Sequence, residues 1–413
     1  MMNGQKIQTQ KKDTVIKHPE SVILSGIHNV NALGVARGLR RKGIPVILLD
    51  VDSHSMVRYS RFVSRRFPCP NPVDSEKGFI DALIELGRSL DHRPVFIPTG
   101  DAEVLALAKH KEALLPYYRM PVASFDTIDL LVNKKRFFQD VISRNIPCPR
   151  TYFPETIDEM REMATDIGYP LIIKSAYSHQ FIQKFHKKVF VIHSPSELET
   201  VIGLVNGAHQ DFFLQEIIPG NTLYLFYAYF NRQSVPLGIC GYDKVRQFPK
   251  DFGIGTICRS TNRSQPIHAA VEYLQNIGYY GLAEPEFKLD PRDDQYKLIE
   301  INTRAVTMTL LAKACGVHLE YLAYQDLIWG NIESLGPATE GILWIDEITE
   351  LHYQLSRIRR GLFSFSELRE MSKGKKVFAC AVWDDPVPFI IGLARFFYER
   401  FKSFGKVDTM SGI

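Results

Sequence analysis

The run from Ala283 to Arg304 reads Ala-Glu-Pro-Glu-Phe-Lys-Leu-Asp-Pro-Arg-Asp-Asp-Gln-Tyr-Lys-Leu-Ile-Glu-Ile-Asn-Thr-Arg. Two alternating apolar and polar stretches flank a Pro/Asp turn, the pattern of a β-hairpin. With the turn centred near Asp293, Glu286 stands opposite Glu300 and Glu284 opposite Asn302, all on one face. Phe287, Leu289, Ile299 and Ile301 are then expected on the core face, because a strand turns alternate side chains to opposite sides. Directly opposed carboxylates lie about 5 Å apart and repel. A cation between them removes that cost, and an all-oxygen ligand set suits Mg²⁺. The same letters also fit a solvated hairpin whose glutamates pair with Lys288 or Lys297.

Such a hairpin needs a core to lie on, and 413 residues at 45% hydrophobic supply enough for two or three domains. No apolar run reaches the ~20 residues of a spanning helix. The first 20 residues, rich in Lys and Gln, lack the apolar segment of a secretory signal, so a cytoplasmic location is expected. Cys69, Cys148, Cys240, Cys258, Cys315 and Cys380 form no CxxC pair and are expected to be reduced and structural. A formal charge of +4 is too small at this length to imply nucleic-acid binding.

The chain opens as strand (Ser21 to Leu24), Gly/Asn loop (Gly26 to Asn31), helix (Leu33 to Arg41) and strand (Ile44 to Asp50). A strand at Pro94 to Pro98 and a helix over about Ala102 to Leu115 continue the alternation, so this part is expected to be an open parallel sheet. The helix Asn133 to Asn145 ends at Ile146-Pro147-Cys148-Pro149, which cannot extend it and marks a boundary. A small α+β unit follows: helix Ile157 to Ile167, strand Pro170 to Lys174, a polar loop, strand Val189 to His193, helix Ser196 to Val205, strand Phe212 to Ile217. Beyond Pro219-Gly220, the long strands Leu223 to Phe230 and Val235 to Asp243 predict an antiparallel sheet.

Three lysines begin or end elements: Lys134, Lys174 and Lys244. A lone lysine is ordinarily a solvated surface group. Lys174, however, closes the apolar strand Leu171-Ile172-Ile173, where a cation is costly without an anion nearby, which makes it the best single phosphate ligand. Phe213-Leu214-Gln215-Glu216-Ile217-Ile218-Pro219-Gly220 is a buried strand running into a break, a segment able to offer main-chain groups to the edge of a flat heterocycle.

In this order, Asn133-Lys134, Pro170-Leu171-Ile172-Ile173-Lys174, Gln215-Glu216-Ile217-Ile218-Pro219-Gly220, Lys244-Val245-Arg246-Gln247-Phe248-Pro249, Glu286-Phe287-Lys288 and Glu300-Ile301-Asn302-Thr303-Arg304 resemble the ATP-grasp superfamily. Within it, the chain is most similar to the carboxylate-amine ligase branch that includes D-aspartate ligase-like proteins. The resemblance runs from about Ser21 to Trp329. It implies an α/β fold with an N-terminal open parallel sheet (21–130), a linker helix and small α+β lid (131–220) and an antiparallel-sheet catalytic part (221–330), preceded by a flexible leader (1–20) and followed by an extension (331–413). It further implies that Lys134 and Lys174 contact ATP phosphates and that the strand end at Gln215, Glu216, Ile217 and Ile218 forms the adenine hinge. Glu286, Glu300 and Asn302 would hold Mg²⁺, with Mn²⁺ as a substitute, and Lys244 and Arg304 would stand at the transferred phosphate. Small-molecule carboxylate and amine substrates, and a homo-oligomer, are compatible with it.

The pattern departs from the family after Lys174, where Ser175 to Lys188 contains no glycine; Ser178, His179 and Lys188 are the substitute phosphate donors, or the segment is a mobile basic loop. Gly26 to Gly34 lacks the GxGxxG spacing of a dinucleotide loop even though Asp50 ends the next strand, which argues against an NAD-dependent oxidoreductase. That loop and Asp101 are expected to face an acceptor pocket, unless Asp101 is a helix N-cap. A nucleotide-binding regulator or scaffold keeping the fold without turnover is the other alternative. Past Gly330 the expectations are a strand within Gly341 to Ile348, a basic helix Tyr353 to Arg360, and an amphipathic helix Phe389 to Phe404 that packs on the body or lies on an anionic membrane.

Overall fold

The computed structural model describes residues 20–27, 29–205, 212–249, 252–330, 332–362 and 374–404; the leader expected over 1–20 lies almost wholly outside them. Four parallel strands, β1 (Val22–Ser25), β2 (Val46–Asp50), β3 (Arg65–Pro68) and β4 (Val95–Phe96), make the first sheet in the order β3-β2-β1-β4. β1, β2 and β4 are buried on both faces, as their continuous apolar letters require. The helix after β1 begins at Asn29, earlier than expected, so the Gly/Asn loop shrinks to its first residues. The helix expected over 102–115 is broken at His110 into Asp101–Lys109 and Lys111–Leu114.

The second sheet, β5 (Thr151–Tyr152), β6 (Leu171–Ser175), β7 (Phe190–Ile192) and β8 (Phe212–Glu216), runs antiparallel in the order β5-β8-β6-β7. With helices Ile157–Ile167 and Pro195–Val205 it closes a core of its own, including Ala164, Leu171, Ile173, Ile192 and Leu214. The stretch read as a polar loop is instead a helix, Ser178–Phe185, because Phe181 reaches that core and its ring meets Phe185, Phe190 and Phe212.

The third sheet has seven strands: β9 (Leu223–Phe230), β10 (Pro236–Phe248), β11 (Ile254–Ser260), β12 (Gly281–Asp290), β13 (Gln295–Asn302), β14 (Leu343–Ile345) and β15 (Lys376–Phe378), ordered β13-β12-β9-β10-β11-β14-β15. Its buried residues and those of the first sheet form one continuous core, whereas the second sheet's core is separate. Residues past 330 therefore do more than extend the chain: β14 and β15 complete the large sheet. Arg37, from the first helix, is wholly buried against Asp385, with Nε 3.0 Å from its carboxylate, so the C-terminal segment is tied to the first sheet as well. The last helix, Val387–Phe404, lies on helix Glu347–Arg359 and on residues 56–59, with the Phe396 ring 5.5 Å from that of His352. It therefore packs on the body, yet Ile390 (58%), Phe397 (43%) and Tyr398 (67%) remain exposed on its outer side.

Candidate active site

β12 and β13 pair as the letters require, Glu284 with Asn302 and Glu286 with Glu300. One irregularity intervenes between Glu286 and Phe287. A bulge adds a residue to one strand and shifts its facing. In consequence Leu298, not Ile299, is the buried partner of Phe287, and Ile299 and Leu289 are only half-buried.

The polar face of this hairpin forms one wall of a cavity of about 1100 Å³ that reaches from the second sheet to the ends of β1 and β4. Lys134, Lys174, Gln215, Glu216, Ile217, Ile218, Lys244, Glu286, Glu300, Asn302 and Arg304 all line it. Sequence distances of up to about 170 residues are thus closed onto one volume, with the second sheet on one side and the large sheet on the other.

Each cation reaches it from a defined element. Asn133 caps the helix Lys134–Ser143 by accepting from the Arg136 N–H at 3.1 Å, and the Lys134 N–H donates to the Ala176 carbonyl at 2.7 Å, pinning the helix start to the end of β6. The Lys134 ammonium ion-pairs with Glu300. Lys174, near the end of β6, donates to Gln215 Oε1 at 2.7 Å, and Gln215 Nε2 donates to Thr151 Oγ1 at 2.8 Å, a relay across the second sheet. Burial, reinforced by Lys134, pulls the Lys174 ammonium down to about 7. Lys244, on β10, lies 2.8 Å from Glu286. Burial lowers its proton affinity, but the charge and hydrogen bond of Glu286, together with Cys258 and Glu300, outweigh that and the net shift is upward. Glu300 is held well below the usual carboxylate range, chiefly by Lys134 and against its burial.

The two glutamates of β12 differ in what they have left to offer. Both oxygens of Glu284 are engaged: Tyr242 donates its hydroxyl to one, and Asn302 Nδ2 donates to the other at 2.9 Å. Burial pushes its carboxyl up to about 7. Glu286 and Glu300 instead meet a lysine each, and both face the cavity beside the Asn302 amide. Tyr242 carries a role the sequence reading missed, although its place two residues before Lys244 on one strand puts both on the same face.

At the first-sheet end, Arg304 Nε lies 2.6 Å from Asp101 Oδ1, and its Nη2 donates to Asn302 Oδ1 at 3.2 Å. Asp101 is not the N-cap: Gly100 occupies that position, and the Glu103 carboxylate accepts from the Thr99 N–H at 2.6 Å and the Gly100 N–H at 3.2 Å, leaving Asp101 to reach Arg304. Asn31 binds the carbonyls of Thr99 at 3.3 Å and Ala305 at 3.1 Å, fastening the first helix beside this pair. Glu216 lines the cavity, but its carboxylate is taken by the Arg150 N–H at 2.8 Å and Arg292 at 2.9 Å. The strand pairing ends there, and Ile217 and Ile218 continue along the wall. Ser178, Lys188 and, from beyond residue 330, Asp346 also line the cavity. The side chain of His179 lies outside the described residues.

A separate lid-like sheet over a larger antiparallel sheet, with lysines and paired carboxylates facing each other across the gap, is the architecture of the ATP-grasp fold. Residues 257–325 match the family model described as the carbamoyl-phosphate synthase L chain, ATP binding domain. The chain is 23% identical over 320 residues to D-aspartate ligase of Enterococcus faecium, covering 73% of this chain and 76% of that protein. Among solved structures it resembles L-amino acid ligase from Bacillus licheniformis (TM-score 0.58, 16% identity, 77% of this chain and 76% of that one). It also resembles N5-carboxyaminoimidazole synthetase from Staphylococcus aureus complexed with ADP (TM-score 0.60, 14% identity, 79% and 81%).

Proposed function

We propose that the protein is an ATP-dependent ligase that joins a carboxylate to an amine through an acylphosphate. The observation that carries this reading is the convergence of Lys174, Lys244 and Arg304 with Glu286, Glu300 and Asn302 on one cavity. A carboxylate is a poor acyl donor at neutral pH. Transfer of the γ-phosphoryl group to one of its oxygens releases ADP and gives a mixed anhydride, whose phosphate is a good leaving group. The amine then attacks the carbonyl carbon, phosphate departs, and the proton lost from nitrogen goes to solvent.

Lys134 and Lys174 hold the phosphates, Gln215, Glu216, Ile217 and Ile218 receive the adenine edge, and Lys244 and Arg304 offset charge on the group in transfer. The donor set of Glu286, Glu300 and Asn302 is all oxygen and carries two negative charges, which fits Mg²⁺ or Mn²⁺. Held by Glu286, Glu300 and Asn302, such an ion would supply positive charge that offsets the charge of the phosphates. The chain contributes no covalent nucleophile; its work is positioning and electrostatics.

In this reading residues 21–130 shape the acceptor end, 131–220 form a linker and lid, 221–330 carry the metal and transfer residues, and 331–413 buttress them. The separate core of the second sheet supports its moving as a lid. Substrates are small carboxylates and amines, and a cytoplasmic location would supply the ATP that the reaction consumes. No described helix is long and apolar enough to cross a membrane. A screen for ADP release across amino acids of both hands, with mass spectrometry of the products, tests the proposal. ATP binding with no acid or amine stimulating ADP release would favour a regulatory nucleotide-binding protein instead.

A further inference from the structure

Lys174 is held by a chain of three hydrogen bonds that can run in one direction only. The order β5-β8-β6 sets Thr151 beside Gln215, and Gln215 beside Ile172, two residues before Lys174 on the same face. The opposite face carries Leu171, Ile173 and Leu214 into the core of that sheet. Thr151 has one hydroxyl hydrogen, and it goes to the Pro149 carbonyl at 2.8 Å. Only lone pairs are then left on Thr151 Oγ1, so the end of the Gln215 amide that meets it, at 2.8 Å, must be Nε2. The carbonyl end is thereby turned to Lys174, whose ammonium donates to Oε1 at 2.7 Å. Gln215 is 1% exposed, so bulk water does not replace either bond.

We infer that Thr151 is a positioning residue for the nucleotide: through the Gln215 amide it holds the Lys174 ammonium in place for the phosphates. The inference rests on the nucleotide site of the ligase reading above. An amide is nearly symmetric in shape, so its partners alone decide which end faces the lysine. Without the Thr151 oxygen, Nε2 is buried with no acceptor, and the amide relieves this by turning Nε2 towards Lys174. An ammonium has no lone pair to accept it. The neutral amine does, so the turned amide favours the form of Lys174 that binds phosphate poorly. The other charges acting on Lys174 are Lys134, which opposes its charge, and Glu300 and Glu286, which favour it. Lys188 and His193 also line the cavity, and the Phe138 ring centre is 5.9 Å from the ammonium. Removing the Thr151 hydroxyl alters none of these groups.

Binding of Mg-ATP to the full-length protein without an acid or amine, measured by calorimetry at pH 6 and pH 8, separates positioning from a merely structural role. Thr151→Val keeps the shape and removes the oxygen. Its affinity is expected to fall about fivefold at pH 8, where Lys174 must gain its proton on binding, and by less than about twofold at pH 6. Thr151→Ser, which keeps the oxygen, should restore the profile of the unaltered protein, and in Lys174→Met the valine should cost nothing further. Thr151→Ala carries the same expectation if the valine variant does not fold. No loss, an equal loss at both pH values, a loss that serine does not restore, or one that persists in Lys174→Met would overturn the inference and leave the ligase reading standing. No binding of Mg-ATP by the unaltered protein at either pH would overturn the nucleotide site with it.

Discussion

Lys244 Nζ lies 2.8 Å from Glu286 Oε1, so a residue assigned to the transferred phosphate is bonded to one assigned to the metal. Lys134 and Glu300 repeat the relationship across the cavity. In each pair a cation suited to phosphate neutralises a carboxylate suited to a divalent ion. Mg-ATP brings four phosphate charges and two metal charges and can replace each partner with its proper counterpart. The pairs keep the buried charges compensated until then, as burial demands.

From this follows a ranking of substitutions. Glu300→Gln keeps shape but removes an anion that both Lys134 and the ion need, so turnover is expected to fall at least about tenfold with the fold retained. Glu286→Gln should behave alike. Glu284→Gln should cost less, since its oxygens are occupied by Tyr242 and Asn302. Steady-state ADP release, with circular dichroism as the folding check, decides; a larger loss at Glu284 than at Glu286 would reverse the assignment.

Lys174 gives a proton signature. Burial holds its ammonium at about 7 when no anion is bound, so at pH 8 it is mostly neutral. A bound phosphate favours the charged form. ATP binding at pH 8 should therefore take up a proton, and affinity should weaken as pH rises through 7. Calorimetry in two buffers of different ionisation enthalpy measures the uptake; the uptake should vanish in Lys174→Met.

Much of the site was legible because the hairpin states its own register: alternation plus a Pro/Asp turn put Glu286 opposite Glu300 without any tertiary knowledge. The bulge beside Glu286 was not, since an extra residue leaves no mark on the alternation and moves Leu298 into the core in place of Ile299. The lysine partners were not legible either. Lys134 meets Glu300 from 166 residues away, and only the fold decides which carboxylate a lysine finds. The helix at Ser178–Phe185 was hidden by its polar letters, although Phe181 and Phe185 stand at helical spacing. The short strands β14 and β15 carry too few residues to show a period.

The buried Arg37–Asp385 pair makes the C-terminal segment part of the stability of the first sheet. Asp385 also accepts from Ser60 Oγ at 2.6 Å and the Arg61 N–H at 3.0 Å, so Asp385→Ala strands a buried guanidinium and several donors. The expected loss is about 3 to 5 kcal/mol, read from urea denaturation. A loss under about 1 kcal/mol, the size typical of a surface pair, would contradict the burial.

Deleting residues from Val387 onward removes Phe389, Leu393 and Phe396, which are half-buried against the body. At roughly 1 kcal/mol for each half-buried apolar side chain lost, with the body surface beneath them exposed as well, the truncated protein should melt below the full chain and tend to aggregate. An unchanged melting temperature would show that the helix contributes nothing to the body, and vesicle co-sedimentation of the full chain would then test its exposed Ile390, Phe397 and Tyr398.

The acylphosphate is tested most directly with ¹⁸O placed in the carboxylate of an accepted substrate. If the carboxylate oxygen takes the γ-phosphoryl group, that oxygen leaves with it, and the expected result is one ¹⁸O atom in the released phosphate together with ADP. Label found in AMP, with pyrophosphate released, would mean that the carboxylate attacks the α-phosphorus instead and would contradict an acylphosphate.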